Sequence, residues 1–340
     1  MYRKEQNNMI QSMKIGKSNV NAPKLVLGTF GMGGGTSWQD TTKDDQELID
    51  LIRQAYDLGV WGLDTAPVYG TGRSESIVGQ AVKGRREKYF ISTKCSLNWR
   101  NTEGTFTYTR DGHSVYNNFS KASIIKDVEE SLKRMETDYI DLMIIHRCPK
   151  AEEFGEVMEA MDELKKRQLI RATGLSNVGL SGHPVEALDT CLQYGELDLL
   201  QEGGSLLKRA YTEDMIQYCE KHQITYQAHS SLEKGILTGR ILKEAVSWTG
   251  DNRSKYKWFQ PENLPKVETL LKGLGKIAEK YNCSTAALSL AWLHNKSECV
   301  NLLVGARKLT HLKDSLQSLE LTLSAEDMEA MNRLSDAANQ

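Results

Sequence analysis

The chain has 340 residues, and its 43 basic and 45 acidic side chains leave a formal net charge of −2. That balance argues against a nucleic-acid coat or a membrane-surface protein, both of which need basic excess. No run approaches the roughly 18 apolar residues of a membrane span, and the polar start MYRKEQNNMI has no apolar signal core, so a cytoplasmic protein is expected.

At roughly 150 residues per domain the length admits two domains or one α/β barrel with loop insertions. Met13–Asn21, with turn residues at Gly16–Ser18, reads as a hairpin. From there to residue 320, apolar β-branched runs alternate with amphipathic helical patterns. The strand candidates are Leu25–Thr29, Gly62–Ala66, Tyr89–Lys94, Tyr139–His146, Ile170–Asn177, Leu197–Gln201, Thr225–Ser230 and Asn301–Ala306. The helix candidates between and after them are 45–58, 74–84, 121–136, 152–167, 183–194, 212–222, 264–294 and 308–317, with Ser324–Ala338 as a last helix. Helical spacing is clearest in Ile124, Val128, Leu132 and Met135, and Ser74 and Ser123 stand near helix starts as candidate caps. Eight strand–helix alternations without a composition break favour a (β/α)8 TIM barrel with core about 22–320, in a single domain spanning 1–340.

Two connections exceed the usual loop length, 95–120 after the third barrel strand and 240–263 after the seventh. Both leave the carboxyl ends of strands, where barrel enzymes build their sites. Their aromatic content (Trp99, Phe106, Tyr108, Trp248, Trp258, Phe259) fits a lid or substrate wall. The six cysteines, Cys95, Cys148, Cys191, Cys219, Cys283 and Cys299, form no C-x-x-C pair, so neither zinc nor any other metal is expected. Cys95 beside Lys94 reads as a buried strand-end filler rather than a reactive thiol.

Asp64 and Tyr69 in GLDTAPVYG, Lys94 in FISTK and His146 in DLMIIHR each fall at or just past a strand end. Any one of them alone would read as a cap, a surface ion pair or a satisfied core histidine. Four at the same face of neighbouring strands fit proton transfer to a carbonyl oxygen. A nearby ammonium favours phenolate, a carboxylate orients the lysine, and an imidazole can position the oxygen.

These residues sit in LDTAPVYGTGRSESIVGQAV, which resembles the D-T-A-x-x-Y-G…S-E…G signature of the aldo-keto reductases. STK, the strand ending in His146, GLSN (174–177), the Gln201 strand and GARKLTHLKDS (305–315) follow in that family's order, over about 22–335. LGTFGMGGGTSW, TKCSLNW, LQYGELDLLQ, KWFQPENL and YNCSTAALSLAWL are most similar to the bacterial subfamily of inositol-utilisation operons. The resemblance implies a (β/α)8 barrel that binds NADPH without a Rossmann domain. It also implies a catalytic tetrad of Asp64, Tyr69, Lys94 and His146, with Tyr69 as proton donor.

The same resemblance implies a cofactor site. Thr29 and Phe30 lie beneath the nicotinamide, with Asp64 beside them; Ser176, Asn177 and Gln201 hold the carboxamide. Ser230 and Leu232 meet the pyrophosphate, with Gly235 and Leu237 in the covering loop. Gly305, Arg307, Lys308, His311 and Ser315 match the adenosine end, and cations near a helix start independently make a 2′-phosphate site. NADP is therefore expected, with NAD possible. Trp38, Asn98, Trp99 and Arg147 are candidates for the substrate wall beside Tyr69 and His146. The implied substrate is a sugar, cyclitol, keto-sugar or small aldehyde, and the chain can be a monomer or a homo-oligomer.

Departures from the family pattern are local. Gly204 stands where a tyrosine usually stacks on the nicotinamide, so that space could admit a bulkier substrate, be filled by another aromatic, or weaken the cofactor. A bulky glycoside oxidised at a ring hydroxyl with retained cofactor, or a non-catalytic cofactor-binding subunit, are the alternatives this raises. Ser231 replaces a proline, His311 and Ser315 replace Gln and Asn, and Glu202 either adds a carboxylate to the site or caps a strand. GMGGG (31–35) approximates a phosphate-binding loop, but the last glycine of G-x-G-x-x-G falls on Thr36 and no helix is expected there. It reads as a flexible mouth loop.

Overall fold

The computed structural model describes residues 10–34, 44–243, 248 and 252–340. The described residues begin with an antiparallel hairpin, β1 (Ser12–Lys14) and β2 (Asn21–Pro23), then enter β3 (Leu25–Gly28). Alternation follows: α1 (Asp45–Asp57), β4 (Gly62–Asp64), α2 (Arg73–Val82), β5 (Phe90–Cys95). Three short strands, β6 (Leu97–Asn98), β7 (Thr105–Arg110) and β8 (His113–Asn117), interrupt it before α3 (Lys121–Met135). Then come β9 (Ile140–Ile145), α4 (Phe154–Lys166), β10 (Ile170–Ser176), α5 (Pro184–Tyr194), β11 (Leu199–Gly203), α6 (Arg209–His222) and β12 (Thr225–His229). The chain closes with α7 (Leu264–Lys280), α8 (Thr285–His294), β13 (Val300–Gly305), α9 (Leu309–Gln317) and α10 (Ala325–Asn339).

Strands β10-β11-β12-β13-β3-β4-β5-β9 form a closed barrel in that order, all neighbours parallel. Helices cover the outside, so strands such as IDLMII in β9 are buried along their whole length, as parallel sheets require. The barrel's lower interior holds Val26, Phe90, Leu142, Ile144, Ala172 and Leu199, sealed by Ile15, Val20 and Ala22 of the hairpin. The hairpin docks through Gly16, whose amide donates to Thr225 Oγ1 at 2.9 Å. Since this face carries the strand starts, the mouth at the opposite, carboxyl ends is left for the site.

The eight expected strands lie within two residues of their sequence bounds, and the differences elsewhere have local causes. The helix expected over 264–294 is two, broken at Asn282 (φ 48), with Ser284 capping α8 by accepting from the Ala287 amide. Ser120, not Ser123, caps α3, accepting from the Ser123 amide. Ser74 is buried inside α2, where its hydroxyl meets Thr29 and Thr65, so it caps nothing. The connection 95–120 is the antiparallel sheet β6-β8-β7. Among the described residues no helix is long and apolar enough to cross a membrane, and no group of His, Cys, Asp and Glu could hold a metal ion.

Candidate active site

Asp64 ends β4 and Lys94 lies on the adjacent β5, so parallel pairing brings them together inside the barrel. Lys94 Nζ donates to Asp64 Oδ1 at 2.6 Å and to the Thr65 carbonyl at 2.9 Å, with both side chains buried. Asp64 Oδ2 accepts from Ser92 Oγ at 2.8 Å and Gln201 Nε2 at 2.9 Å. Tyr69 follows β4, and the Lys94 ammonium lies 5.0 Å from its ring centroid. The Tyr69 ring packs edge-on against Phe30 at 5.0 Å and against His146 at 6.1 Å. All four expected residues thus converge at one mouth.

The electrostatics assign protonation states. Burial would discharge Lys94, but the Asp64 charge, with the neighbouring Tyr69 oxygen and its hydrogen bonds, holds its pKa above the usual lysine value. Burial raises the Tyr69 phenol, opposed by the Lys94 charge, so Tyr69 stays protonated at neutral pH. Burial, then Lys94 and Arg147, drive His146 well below an ordinary histidine, so its ring is neutral. Its Nδ1 is buried with no hydrogen-bond partner among the described residues. A protonated phenol, a fixed ammonium and a neutral imidazole can deliver a proton to a carbonyl oxygen and hold that oxygen in place.

Gln201 continues a buried chain of amides. Its Nε2 donates to Gln227 Oε1 at 2.6 Å, Gln227 Nε2 to Asn301 Oδ1 at 2.7 Å, and Asn301 Nδ2 to the Pro23 carbonyl at 2.7 Å. Beside it, Ser176 accepts from Asn177 Nδ2, which also donates to the His146 carbonyl at 3.0 Å. Thr29 is buried, donating to the Asp64 carbonyl at 2.9 Å. Ser230 lies at φ 55 against His229, Leu232 is half-buried, and Leu237 is buried in the 3-10 segment Glu233–Thr238. A Cβ at Gly235 would meet nothing within 4 Å, and one at Gly305 only the Gly28 carbonyl at 3.9 Å, so both leave backbone open to approach. Arg307 and Lys308 adjoin the start of α9, and partial burial, then Lys308 and Arg307, lowers the pKa of His311. Ser315 donates back to the His311 carbonyl at 2.9 Å. An elongated nucleotide fits these residues: polar amides at the mouth, open glycine backbone beyond it, and cations at the far end.

Three open points resolve. A Cβ on Gly204 would stand 2.5 Å from Tyr226 Oη, so a fully buried phenol from β12 fills that space. Glu202 accepts from the Gly179 and Gly203 amides at 3.1 and 3.0 Å, so it ties the end of β11 to the 3-10 turn that follows β10. Ser231 donates to the Ala228 carbonyl at 2.8 Å. Cys95 is buried, its thiol pKa pushed well up by burial, and all six cysteines are free.

Of the substrate-wall candidates, Asn98 is buried with Nδ2 unpartnered among the described residues, while Trp99 lines a hollow with Val68, Thr71, Tyr108 and Arg110. Arg147 follows His146 at the mouth, and Trp38 lies outside the described residues. Phe30–Met32 form a single 3-10 turn rather than a helix start, followed by Gly33 and Gly34, while Gly35 lies outside the described residues. Sequence reasoning missed His229, at the end of β12. Its Nε2 is buried and unpartnered among the described residues, and burial, then Lys208 and Lys94, lower its pKa to about 3. No motif marks it; its position as the last residue of a barrel strand is the one signal that could have.

The family model described as Aldo/keto reductase family matches residues 24–336. The chain is similar to an NADH-specific methylglyoxal reductase of Escherichia coli, 34% identical over 332 residues (96% of this chain, 99% of the relative). It is similar to the aldo-keto reductase YhdN of Bacillus subtilis, 32% identical over 323 residues (94% and 92%). Among solved structures, a glycerol dehydrogenase from Gluconobacter oxydans matches with TM-score 0.83 and 29% identity over 95% of this chain and 94% of that one.

Proposed function

Because the chain belongs to the aldo/keto reductase family of oxidoreductases, we propose that it interconverts a carbonyl and an alcohol with Tyr69 as proton donor. The observation that carries this reading is the buried 2.6 Å Lys94–Asp64 pair beside Tyr69 and His146. A bound nicotinamide supplies or accepts the hydride at the substrate carbon. Tyr69 Oη gives its proton to the carbonyl oxygen, Lys94 stabilises the phenolate left behind, and Asp64 holds Lys94 charged and aimed. His146, neutral, positions the oxygen by hydrogen bond.

Ser176, Asn177 and Gln201 would hold the carboxamide, Thr29 and Phe30 the underside of the ring. Ser230, Leu232, Gly235 and Leu237 would line the pyrophosphate path; Gly305, Arg307, Lys308, His311 and Ser315 would receive the adenosine end. Arg307 and Lys308 support NADP. The E. coli relative, NADH-specific by name, keeps NAD as the alternative. The substrate read from the resemblance is a sugar, cyclitol, keto-sugar or small aldehyde of the kind suited to the inositol-operon subfamily, handled by a single-domain cytoplasmic enzyme. Asn98, Trp99 and Arg147 form its wall. Oxidation of a bulky glycoside's ring hydroxyl with retained NAD(P) is the alternative, against which Tyr226 crowding Gly204 speaks, and an assembled tetrad speaks against a non-catalytic subunit.

Fluorescence titration with NADPH and NADH, then single-turnover mixing with a carbonyl panel, tests this. Tyr69→Phe is expected to cut carbonyl reduction by about a hundredfold or more while nucleotide affinity stays within a few fold. Nucleotide binding without hydride transfer to any carbonyl would sink the reading.

A further inference from the structure

Most arginines in this fold close on a carboxylate: Arg86 on Asp141, Arg134 on Glu75, Arg171 on Asp141, Arg209 on Asp336. Two at the mouth do not. Arg147 directly follows His146, is half-buried, and its Nε is buried without a hydrogen-bond partner among the described residues. Arg110, the last residue of β7, reaches over from the antiparallel sheet. Its guanidinium lies 4.9 Å from the Tyr108 ring and 5.8 Å from the Phe30 ring, the same Phe30 that packs on Tyr69. Among the described residues neither arginine forms an ion pair.

Beside Arg110, Asp111 lines the same hollow and has an interaction of its own, and three further carboxylates near the mouth are engaged elsewhere. Asp64 holds Lys94, Glu202 holds two backbone amides, and Glu233 accepts from Ser205 at 2.7 Å. Withdrawing a guanidinium from water without a counter-charge is unfavourable, and its planar fork matches carboxylate or phosphate oxygens. We propose that Arg110 and Arg147 form a subsite for an anionic oxygen group, carboxylate or phosphate, carried by the substrate whose carbonyl faces Tyr69 and His146. This rests on the reductase reading above and names the substrate class of that same site. Both arginines also contribute to the depressed pKa of His146, after burial and Lys94, which places their fields at the reacting end of the pocket. The cations assigned to the nucleotide's far end, Arg307 and Lys308, belong to the β13–α9 connection instead.

The test uses the full chain and matched carbonyl pairs: succinic semialdehyde against its methyl ester, and glyceraldehyde 3-phosphate against glyceraldehyde. One charged hydrogen-bonded contact is expected to raise kcat/KM for the anionic member by about tenfold or more, and the pair with the larger ratio identifies carboxylate or phosphate. Arg110→Met and Arg147→Met, which keep an apolar stem, are expected to bring the ratio toward one, and Arg147→Lys to retain part of it. If neutral carbonyls are reduced but the ratio is near one, or is the same in the variants, the subsite is wrong while the reductase reading stands. If no carbonyl is reduced, that reading fails instead, and thermal shifts with succinate and inorganic phosphate against matched chloride decide the subsite. A shift in the parent chain lost in both variants supports it; no shift, or equal shifts, overturns it.

Discussion

Tyr69 is held protonated by burial and His146 is held neutral by burial and Lys94, so neither should titrate near neutrality. In the proposed mechanism carbonyl reduction consumes the phenolic proton and alcohol oxidation requires its absence. We therefore expect kcat/KM for reduction to show no histidine-like step between about pH 6 and 8, then to fall as pH rises through the Tyr69 pKa. Oxidation should climb over that same alkaline range. A reduction profile that steps near 6.5 would contradict the assignment of His146 as a neutral group. Gly204 offers a second test at this scale. The 2.5 Å approach of Tyr226 Oη makes Gly204→Ala an overpacking change costing about 1–3 kcal/mol in urea denaturation. Combining it with Tyr226→Phe should recover much of that loss, and equal costs in both backgrounds would refute the contact. The departure at 204 was legible as a missing ring, but its partner was not. Tyr226 sits 22 residues away on another strand, and only the parallel pairing of β12 with β11 brings its hydroxyl back beside Gly204.

Among elements, the strands were the most readable because burial on both faces forces unbroken apolar runs, as in IDLMII. Helix ends were less so. Both Ser120 and Ser123 are capping types, and choosing between them needs the backbone: Ser120 is extended at ψ 142 and accepts from the Ser123 amide. Ser120→Ala is expected to cost about 1 kcal/mol of stability, and Ser120→Asp, another capping side chain, should restore most of it. An Asp variant no better than Ala would place the cap elsewhere. The sheet β6-β8-β7 escaped detection because it packs only a small apolar group, Leu97 and Val115 with Ala66 and Val68, and shows no sustained alternation. Its aromatic content nevertheless pointed to the mouth, where Trp99, Tyr108 and Arg110 stand. The split between α7 and α8 was hidden for another reason. Asn282 turns the chain at positive φ without the proline or glycine that usually announces a break.

At the scale of the molecule, the fold separates a stabilising floor from a reactive mouth. The hairpin supplies the floor, and Gly16 is its tightest point: at φ 51, its Cβ would stand 2.3 Å from the Asp198 carbonyl. Since backbone meets backbone there, Gly16→Ala is expected to lower stability by about 1–3 kcal/mol, read by thermal unfolding, while nucleotide affinity at the other end is unchanged. Comparable losses in both would mean that floor and mouth are coupled more tightly than packing alone requires. One link between them does exist. Pro23 offers its chain partner only an acceptor, so Asn301 must turn its nitrogen downward, which turns its oxygen toward Gln227. Each amide in the row is oriented by the one beneath it, until Gln201 has both nitrogen hydrogens engaged, by Gln227 and by Asp64. The barrel axis therefore has a polarity, like a weathervane fixed at its base: a carbonyl at the floor decides that Gln201 offers an oxygen to whatever amide docks above it.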